Sequence, residues 1–192
     1  MATHETTTRL LDAAYDLVRR RGFNAFSYKD LAAAVGIRTA SIHYHFPTKA
    51  DLGTALMERY TAELDQALSA IEARHAGVID QLSAFVDLYR KTEQEGAICT
   101  CGSFASDRET LPEALQAGVQ GYLGRSERWL IDRLEQAQAA GEIQLAVPAP
   151  AFAATLLSAL QGGLIVSRAD TDRRMVTDLV RTTFLEPLKR NG

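Results

Sequence analysis

Two helix-start signals close together in the chain constrain its fold more than any other feature. Ser27-Tyr28-Lys29-Asp30 and Thr48-Lys49-Ala50-Asp51 each place a carboxylate three residues after a hydroxyl. In this capping-box pattern the two side chains satisfy each other's backbone N–H groups at the start of a helix. Gly36 and Pro47 lie between the two boxes, and both residue types end helices. The segment is therefore predicted to form short helices joined by tight turns.

The rest of the chain shows the same alternation of helical stripes and stops. Apolar residues recur at helical spacing, and the runs end at glycine or proline, as at Gly22, Gly96 and Gly141. Only 13 glycines and 5 prolines occur in 192 residues, and β-branched runs are absent, which favours an all-α fold. We predict about nine helices. They span approximately 6–21, 28–35, 39–45, 48–74, 78–96, a short piece from Ser103, 112–140, 150–167 and 171–188.

The third of these helices lies in the sequence "IHYHFPTK", which holds two of the four histidines. Ile42 and Phe46 are about 40° apart on a helical wheel and form its buried side. His43 and His45 are about 200° apart, so they cannot chelate one metal ion from a single helix. No nucleophile, acid pair or glycine-rich phosphate loop adjoins them, so we predict neither catalysis, nor a metal site, nor a cofactor.

Two short helices joined through Gly36 predict a helix-turn-helix, with 28–35 first and 39–45 as the recognition helix. The hydroxyls of Thr39 and Tyr44, the Lys49 ammonium and the first N–H groups of the following helix are expected to contact phosphates. Thr39 is also expected to cap the recognition helix. The predicted DNA-contacting residues are Ser27, Tyr28, Arg38, Thr39, Ala40, Ser41, His43, Tyr44, His45 and Lys49.

The charge distribution agrees with a polyanionic partner for the N-terminal third. Residues 1–60 carry a net charge of +2, whereas the remainder carries −5. A basic segment on an acidic body is typical of a local nucleic-acid site, although this signal is weak alone. The alternative is a surface helix in a bundle whose aromatic residues only cover a core.

The segment "FSYKDLAAAVGIRTASIHYHFPTKADL" resembles the DNA-binding region of the tetracycline-repressor (TetR) family of bacterial regulators. Tyr44, His45, Phe46, Lys49 and Leu52 match the family's "YHF..K..L" ending, and the turn Val35-Gly36-Ile37 also matches. The resemblance covers about residues 6–56. His43 departs from the pattern, since the family often has an aromatic residue there, and histidine can donate or accept hydrogen bonds.

This resemblance implies a DNA-binding domain at 1–50, a connecting helix at 48–74, and a helical domain at 51–192 that dimerises and binds a small molecule. The residues themselves suggest which helices would pair. The helix at 150–167 lacks charged residues within it and the helix after it is striped, so both are expected at the subunit interface, in a four-helix bundle. Closing the monomer core is the alternative. The predicted interface comprises Ala153, Leu157, Leu160, Gly163, Leu164, Val176, Val180 and Phe184.

The stretch "CTCGSF" leaves several readings open for Cys99 and Cys101. The thiols could pack as small apolar groups, line a ligand cavity, sense oxidants or electrophiles, or, least readily, bind a metal. Sensing would need the irregular, mobile segment that we expect here. Polar-tipped residues on apolar helices complete the candidate effector site, although such residues more often belong to the core. The candidates are Tyr89, Cys99, Cys101, Phe104, Tyr122, Trp129 and Gln161.

The sequence thus predicts a cytoplasmic, ligand-responsive transcriptional regulator, most simply a repressor released from an operator by a small molecule. No signal peptide is visible, and prolines, glycines and polar residues interrupt the apolar stretch 143–167, which argues against a membrane span. A thiol sensor of the same architecture is the alternative function. A small helical enzyme and a DNA-organising protein without a ligand are rival classes. The effector, the operator and the regulated genes cannot be read from the sequence.

Overall fold

Helices make up most of the residues that the computed structural model describes, which are 2–169 and 175–189. No strand occurs among them, so the all-α prediction is confirmed. A 3₁₀ turn at Arg108–Thr110 precedes the eighth helix, and a π-helical turn at Arg181–Leu185 joins the last two. The α-helices are α1 (Ala2–Arg21), α2 (Tyr28–Val35), α3 (Thr39–His45), α4 (Lys49–Arg74), α5 (Val78–Asp87), α6 (Arg90–Gln94), α7 (Thr100–Ser106), α8 (Glu113–Ala139), α9 (Ala149–Ala169), α10 (Val176–Val180) and α11 (Glu186–Lys189).

Both predicted capping boxes are present at the helix starts. The Ser27 amide donates to the Asp30 carboxylate at 2.7 Å, and the Asp30 amide lies 3.4 Å from the Ser27 hydroxyl. Thr48 and Asp51 repeat this exchange at 2.8 and 3.2 Å. Gly36 ends α2 in the left-handed conformation, with φ 76°, which side chains other than glycine rarely adopt. The expected turn between α2 and α3 is therefore confirmed.

Three local predictions differ from the structure. The single helix predicted over 78–96 is two helices, α5 and α6, because the chain turns at Leu88 and Tyr89. The helical spacing of apolar residues continues across this turn, so the sequence pattern does not reveal it. Thr39 does not cap α3, because it is the first helical residue and the cap position is Arg38, which makes no side-chain cap bond. The segment expected to be irregular around Cys101 forms α7. The predicted start of the last helix, Thr171, lies outside the described residues.

The chain divides into two compact units, one of residues 1–63 and 100–122 and one of 64–99 and 123–192. Helices α4 and α8 contribute residues to both. The division predicted from the sequence lies at residue 50, where the helix-turn-helix motif ends, and it does not coincide with the boundaries of these two units. The division by function into 1–50 and 51–192 stays a prediction.

Each unit has its own apolar core. In the first, Leu10, Leu31, Ile42 and Leu52 are fully buried, and the rings of Phe26 and Phe104 both pack on that of Phe23. In the second, the rings of Phe85 and Trp129 stack with centroids 5.5 Å apart, and the fully buried apolar side chains are Leu82, Phe85, Val86, Leu130, Leu134, Ala153, Leu156 and Leu160. Among the helices in the described ranges, α9 alone is long and apolar enough to cross a membrane. Length and composition are weak evidence for a span, because the core helix of a globular protein meets the same criterion.

Candidate functional site

Helix α3 buries one side and exposes the other, as its helical wheel predicts. Ile42 is fully buried, and Phe46, the residue after the helix, is 6% exposed. Tyr44 is 77% exposed, which is unusual for a large aromatic side chain. Thr39 and His45 are half-buried. Ser27 is exposed just before α2, and the exposed residues on α3 or immediately before it are Arg38, Ala40, Ser41, His43 and Tyr44. The structure therefore presents these five residues together along one short segment.

Tyr28 is a correction to the predicted contact set. Its side chain is 9% exposed, and its hydroxyl lies 2.9 Å from the Phe46 carbonyl oxygen and 2.5 Å from that of Thr48. The hydroxyl therefore donates within the protein. Burial, together with the negative charge of Asp51, raises the pKa of Tyr28 to about 12. Tyr28 holds the start of α2 to the connection between α3 and α4, so it does not suit a phosphate contact.

Lys49 also departs from its expected position. Its ammonium donates to the carbonyl oxygens of Phe23 and Phe26, and it lies over both rings. Burial lowers the pKa of Lys49. The side chain that was expected to reach a phosphate is therefore directed into the connection between α1 and α2.

The remaining predicted contacts make local bonds. The ring Nδ1 of His43 lies 3.0 Å from the Pro47 carbonyl oxygen, and that of His45 lies 3.0 Å from the Thr7 hydroxyl. The Ser27 hydroxyl donates to the Asp30 carboxylate at 2.5 Å, and this hydrogen bond, with a backbone bond, lowers the pKa of Asp30. His43 is exposed and His45 is half-buried, and each uses only Nδ1 in these bonds, so the second ring nitrogen of His43 is the more accessible to another partner.

Several of the eight cations in residues 1–60 have partners inside the chain. These partners are the Val35 carbonyl for Arg9 (2.7 Å), Asp30 for Arg21 (3.6 Å), and Asp12 and Glu63 for Arg59 (2.7 and 2.8 Å). The side chains of Lys29 and Arg38 are exposed, and they form no ion pair or hydrogen bond with other described residues. These two cations are the best placed to meet a phosphate.

Three of the seven predicted effector residues contact one another in the second unit. The Gln161 amide nitrogen lies 3.4 Å from the Tyr89 hydroxyl and 3.3 Å from the Cys99 sulfur. Tyr89 and Cys99 are buried, and Gln161 is half-buried. Trp129 belongs to the same unit, where its indole N–H donates to Glu72 at 2.6 Å. We call Tyr89, Cys99 and Gln161 the polar triad.

The other three effector candidates belong to the first unit, so the predicted set is divided. Cys101 lies with its sulfur 3.7 Å from the Val119 carbonyl oxygen, and Phe104 packs on the Phe23 ring. Tyr122 stacks on Tyr60 with centroids 4.6 Å apart. Cys99 is 3% exposed and Cys101 is fully buried, so neither thiol is accessible to an oxidant or electrophile from solvent. Within 2–169 and 175–189 no three His, Cys, Asp or Glu residues form a group that could hold a metal ion.

The predicted interface residues also divide into two groups. Ala153, Leu157, Leu160 and Leu164 are at most 8% exposed in the single chain, so packing within the subunit already covers them without a second copy. Helical periodicity marks an apolar stripe without showing which neighbour covers it. The other four, Gly163, Val176, Val180 and Phe184, line an apolar groove of about 460 Å³ between α9 and the last helical segments. Val166 and Leu179 also line it and are 69% and 51% exposed.

Sequence reasoning missed a buried carboxylate beside this groove. Glu93, 5% exposed, accepts hydrogen bonds from the backbone N–H groups of Val176 and Thr177 and from the Thr177 hydroxyl. It therefore caps the start of α10. Nothing near Glu93 in the sequence indicates this role, because its partners are 83 and 84 residues away.

A ring of four charges, also unpredicted, joins the α5–α6 break to α10. Arg90 pairs with Asp87 and Asp178 at 3.0 and 2.5 Å, and Arg181 pairs with the same two carboxylates at 2.8 and 3.4 Å. Burial alone would raise the pKa of Asp87, but hydrogen bonds from Arg181 and Arg90 outweigh it and hold the pKa below its usual value. The ring lies on the chain beside Tyr89 of the polar triad.

An exposed recognition helix in a helix-turn-helix, followed by a helical body, defines the class of helix-turn-helix DNA-binding regulators. The model for bacterial regulatory proteins of the tetR family matches residues 10–56. The model for the tetracyclin repressor-like C-terminal domain matches residues 77–183. The chain therefore belongs to the TetR family of transcriptional regulators. The family and the fold are those of transcription factors and not of enzymes.

Known proteins similar to this chain agree with that assignment. A TetR-family regulator from Agrobacterium tumefaciens is 29% identical, with a TM-score of 0.88 and 99% of both chains covered. A TetR regulator from Legionella pneumophila is 31% identical, with a TM-score of 0.80, covering 92% of this chain and 95% of that one. The transcriptional regulator AcuR of Cereibacter sphaeroides is 25% identical over 141 residues, which are 70% of this chain and 63% of AcuR. The match thus spans less than two thirds of that relative.

Proposed function

We propose that this TetR-family protein is a cytoplasmic, sequence-specific repressor that binds its operator as a homodimer and releases it when a small molecule occupies the second unit. The exposed face of α3 carries the proposal. Ile42 and Phe46 anchor the helix from below, while small and polar side chains face outward. That arrangement suits a helix that enters the major groove of DNA.

The α3 side chains suggest a division between base readout and phosphate contact. Ala40 and Ser41 are small enough for close approach to base edges. His43 Nδ1 must carry a proton to donate to the Pro47 carbonyl, so the neutral ring keeps Nε2 as an acceptor for a base amino group. The exposed Tyr44 hydroxyl is assigned to phosphates, together with the cations Lys29 and Arg38 and the first N–H groups of α4.

The apolar groove supports dimerisation through α9 and α10. Exposed Val166 and Leu179 are unusual on a soluble surface and suit contact with a second copy. Val166→Asp and Leu179→Asp should therefore yield monomers by light scattering. Val147→Asp is the matched control, since Val147 is 46% exposed but lies outside the helices. A dimer that persists in both interface variants would place the interface elsewhere.

The polar triad supports effector binding in the second unit. It offers a hydroxyl, an amide and a thiol, which can orient a small ligand by neutral hydrogen bonds. Typical coupling between effector and operator sites is about 1–3 kcal/mol. Because α4 contributes to both units, a change in its tilt would alter the spacing of two recognition helices from the roughly 34 Å between successive major grooves. The thiol-sensor alternative has less support, since both cysteines are buried.

The test of operator binding is selection of duplexes from a randomised DNA pool by the full-length protein. We expect enrichment of a sequence with two related half-sites about one helical turn, or a multiple of it, apart. Arg38→Ala should then weaken binding. It should also reduce the salt slope, the steepness with which the logarithm of the binding constant falls with the logarithm of salt concentration, by roughly 1.8, about 0.9 for each subunit. Arg74→Ala, the removal of an exposed cation at the end of α4, is the control and should change neither. Failure to enrich any sequence would refute sequence-specific binding.

A further inference from the structure

Lys49 is the first residue of α4, directly after the helix-turn-helix, where a cation would be expected to meet a phosphate. The side chain points elsewhere. Its ammonium lies 2.5 Å from the Phe23 carbonyl oxygen and also donates to the Phe26 carbonyl. Its nitrogen is 4.7 and 4.4 Å from the centroids of the Phe23 and Phe26 rings.

These contacts stabilise a partly buried charge. An ammonium has three N–H donors, and two of them are used on carbonyls of the connection between α1 and α2. The aromatic faces on either side add cation–π attraction, which grows as the cation loses water. Negative charges on Asp107 and Asp30 favour the charged form against the burial that lowers the Lys49 pKa. Moving the ammonium to a phosphate would break all of these contacts.

Tyr28 makes a second tie that runs in the opposite direction. Lys49 reaches from the start of α4 to the connection before α2, and Tyr28 reaches from the start of α2 to the connection before α4. We call these two side chains the clasp. Together they fix the start of α2 against the start of α4 at two points, and α3 lies between those helices in the chain.

We propose that Lys49 is a positioning residue for operator recognition, which sets the pose of α2 and α3 through the clasp and does not contact a phosphate. The proposal rests on the proposed function, because operator affinity is its readout. Fixing the pose matters because base-edge hydrogen bonds depend on the placement of α3, whereas phosphate attraction tolerates small displacements.

The experiment compares Lys49→Met with the wild type on two DNAs, a duplex selected from the randomised pool and a random-sequence duplex. Methionine keeps an unbranched chain against the two rings but removes the charge and the donors. Measurements are made at a temperature where circular dichroism shows both proteins fully folded, over about 50–200 mM salt. We expect affinity for the selected duplex to fall roughly tenfold, the effect of losing charged hydrogen bonds. The salt slope and the affinity for random DNA should stay unchanged.

Other results overturn the proposal. Equal weakening on both DNAs, with a salt slope lower by roughly 1.8, would show a phosphate contact in each subunit. Unchanged affinity on both DNAs would show that Lys49 only packs. If Lys49→Met does not fold, Phe26→Leu replaces it, since that change removes a ring under Lys49 and leaves every charge. The proposal expects loss of affinity for the selected duplex alone, and no loss would contradict it. If the pool yields no selected duplex, the proposed function fails first and the inference fails with it.

Discussion

The helix-turn-helix and the second unit are held by the same kind of bond over very different distances along the chain. In the helix-turn-helix, side chains bond to backbone 3 residues away in the capping boxes and 18 to 26 residues away in the clasp. In the second unit Glu93 bonds to α10 over 83 residues and Arg181 to Ser83 over 98. The capping boxes and the clasp thus join residues close together in the chain, whereas these bonds of the second unit join its two ends.

This difference has consequences for how each region forms and fails. Local contacts close short loops, which cost little entropy and form early. Contacts between α6 and α10 become favourable only after the helices between them have packed. We therefore expect single substitutions at the distant contacts of the second unit to be more damaging than those at the local contacts of the helix-turn-helix.

The largest effect is expected at Glu93. Glu93→Ala leaves the N–H groups of Val176 and Thr177 and the Thr177 hydroxyl buried without their acceptor, which should lower the free energy of unfolding by about 3 kcal/mol. Urea unfolding followed by circular dichroism measures this. Glu186→Ala, which removes an exposed glutamate of α11, is the control and should cost under about 0.5 kcal/mol. If Glu93→Ala lowered the free energy of unfolding no more than the control does, the distant contacts of the second unit would not be the more important ones.

A smaller effect is expected from two adjacent glycines of α9. A Cβ on Gly163 would lie 2.2 Å from a Val176 methyl carbon, and nothing lies within 4 Å of one on Gly162. Gly163→Ala should therefore destabilise by about 1–3 kcal/mol through overpacking. Gly162→Ala should stabilise by up to about 1 kcal/mol, because alanine favours helices. The midpoint temperature of thermal unfolding measures both effects. If it rose for both variants, Val176 would be able to shift and make room for the added methyl group.

Because Gly163 meets Val176 of its own chain, a bulky residue there is a poor test of dimerisation. If such a variant were monomeric, the cause could be disrupted packing within the subunit and not the loss of an interface. Val166 and Leu179 are cleaner positions, because more than half of each side chain is exposed.

The smallest effect is expected in the helix-turn-helix, at Tyr28. Tyr28→Phe removes the one O–H donor that the carbonyl oxygens of Phe46 and Thr48 share, and should cost about 1 kcal/mol near pH 7. The raised pKa means that the neutral hydroxyl stabilises the fold. This contribution is complete below pH 10.0, the ordinary tyrosine pKa, and is lost as pH rises toward about 12.

The measurement is urea unfolding of both proteins from pH 8 to pH 11. The stability difference between wild type and Tyr28→Phe should narrow as pH rises above 10.0. Tyr44→Phe, at an exposed position, should show no such difference. A gap that stays constant with pH would mean that the hydroxyl does not titrate as part of the fold.

The local region could be predicted from sequence because its signals and their partners are neighbours. Ser27 and Asp30, or Ile42 and Phe46, reveal their relation by spacing alone. Tyr28 and Lys49 could not be placed, since their residue types suit phosphate contacts and their carbonyl partners carry no side-chain signature. Leu157 and Leu160 were assigned to an interface because periodicity identifies an apolar face without naming its neighbour. The role of Glu93 was unpredictable for the same reason, as backbone N–H groups leave no mark in a sequence.

The internal use of cations in residues 1–60 also bears on how the regulator finds its target. A genome offers millions of competing sites, and attraction to them comes from released counterions. With Arg9, Arg21, Arg59 and Lys49 engaged inside the chain, few charges remain to hold the protein on arbitrary sequence. We therefore expect such a regulator to dwell only briefly on arbitrary chromosomal sequence and to spend more time in free solution. Its occupancy of an operator in a living cell should then depend less on intracellular potassium than that of a strongly basic repressor.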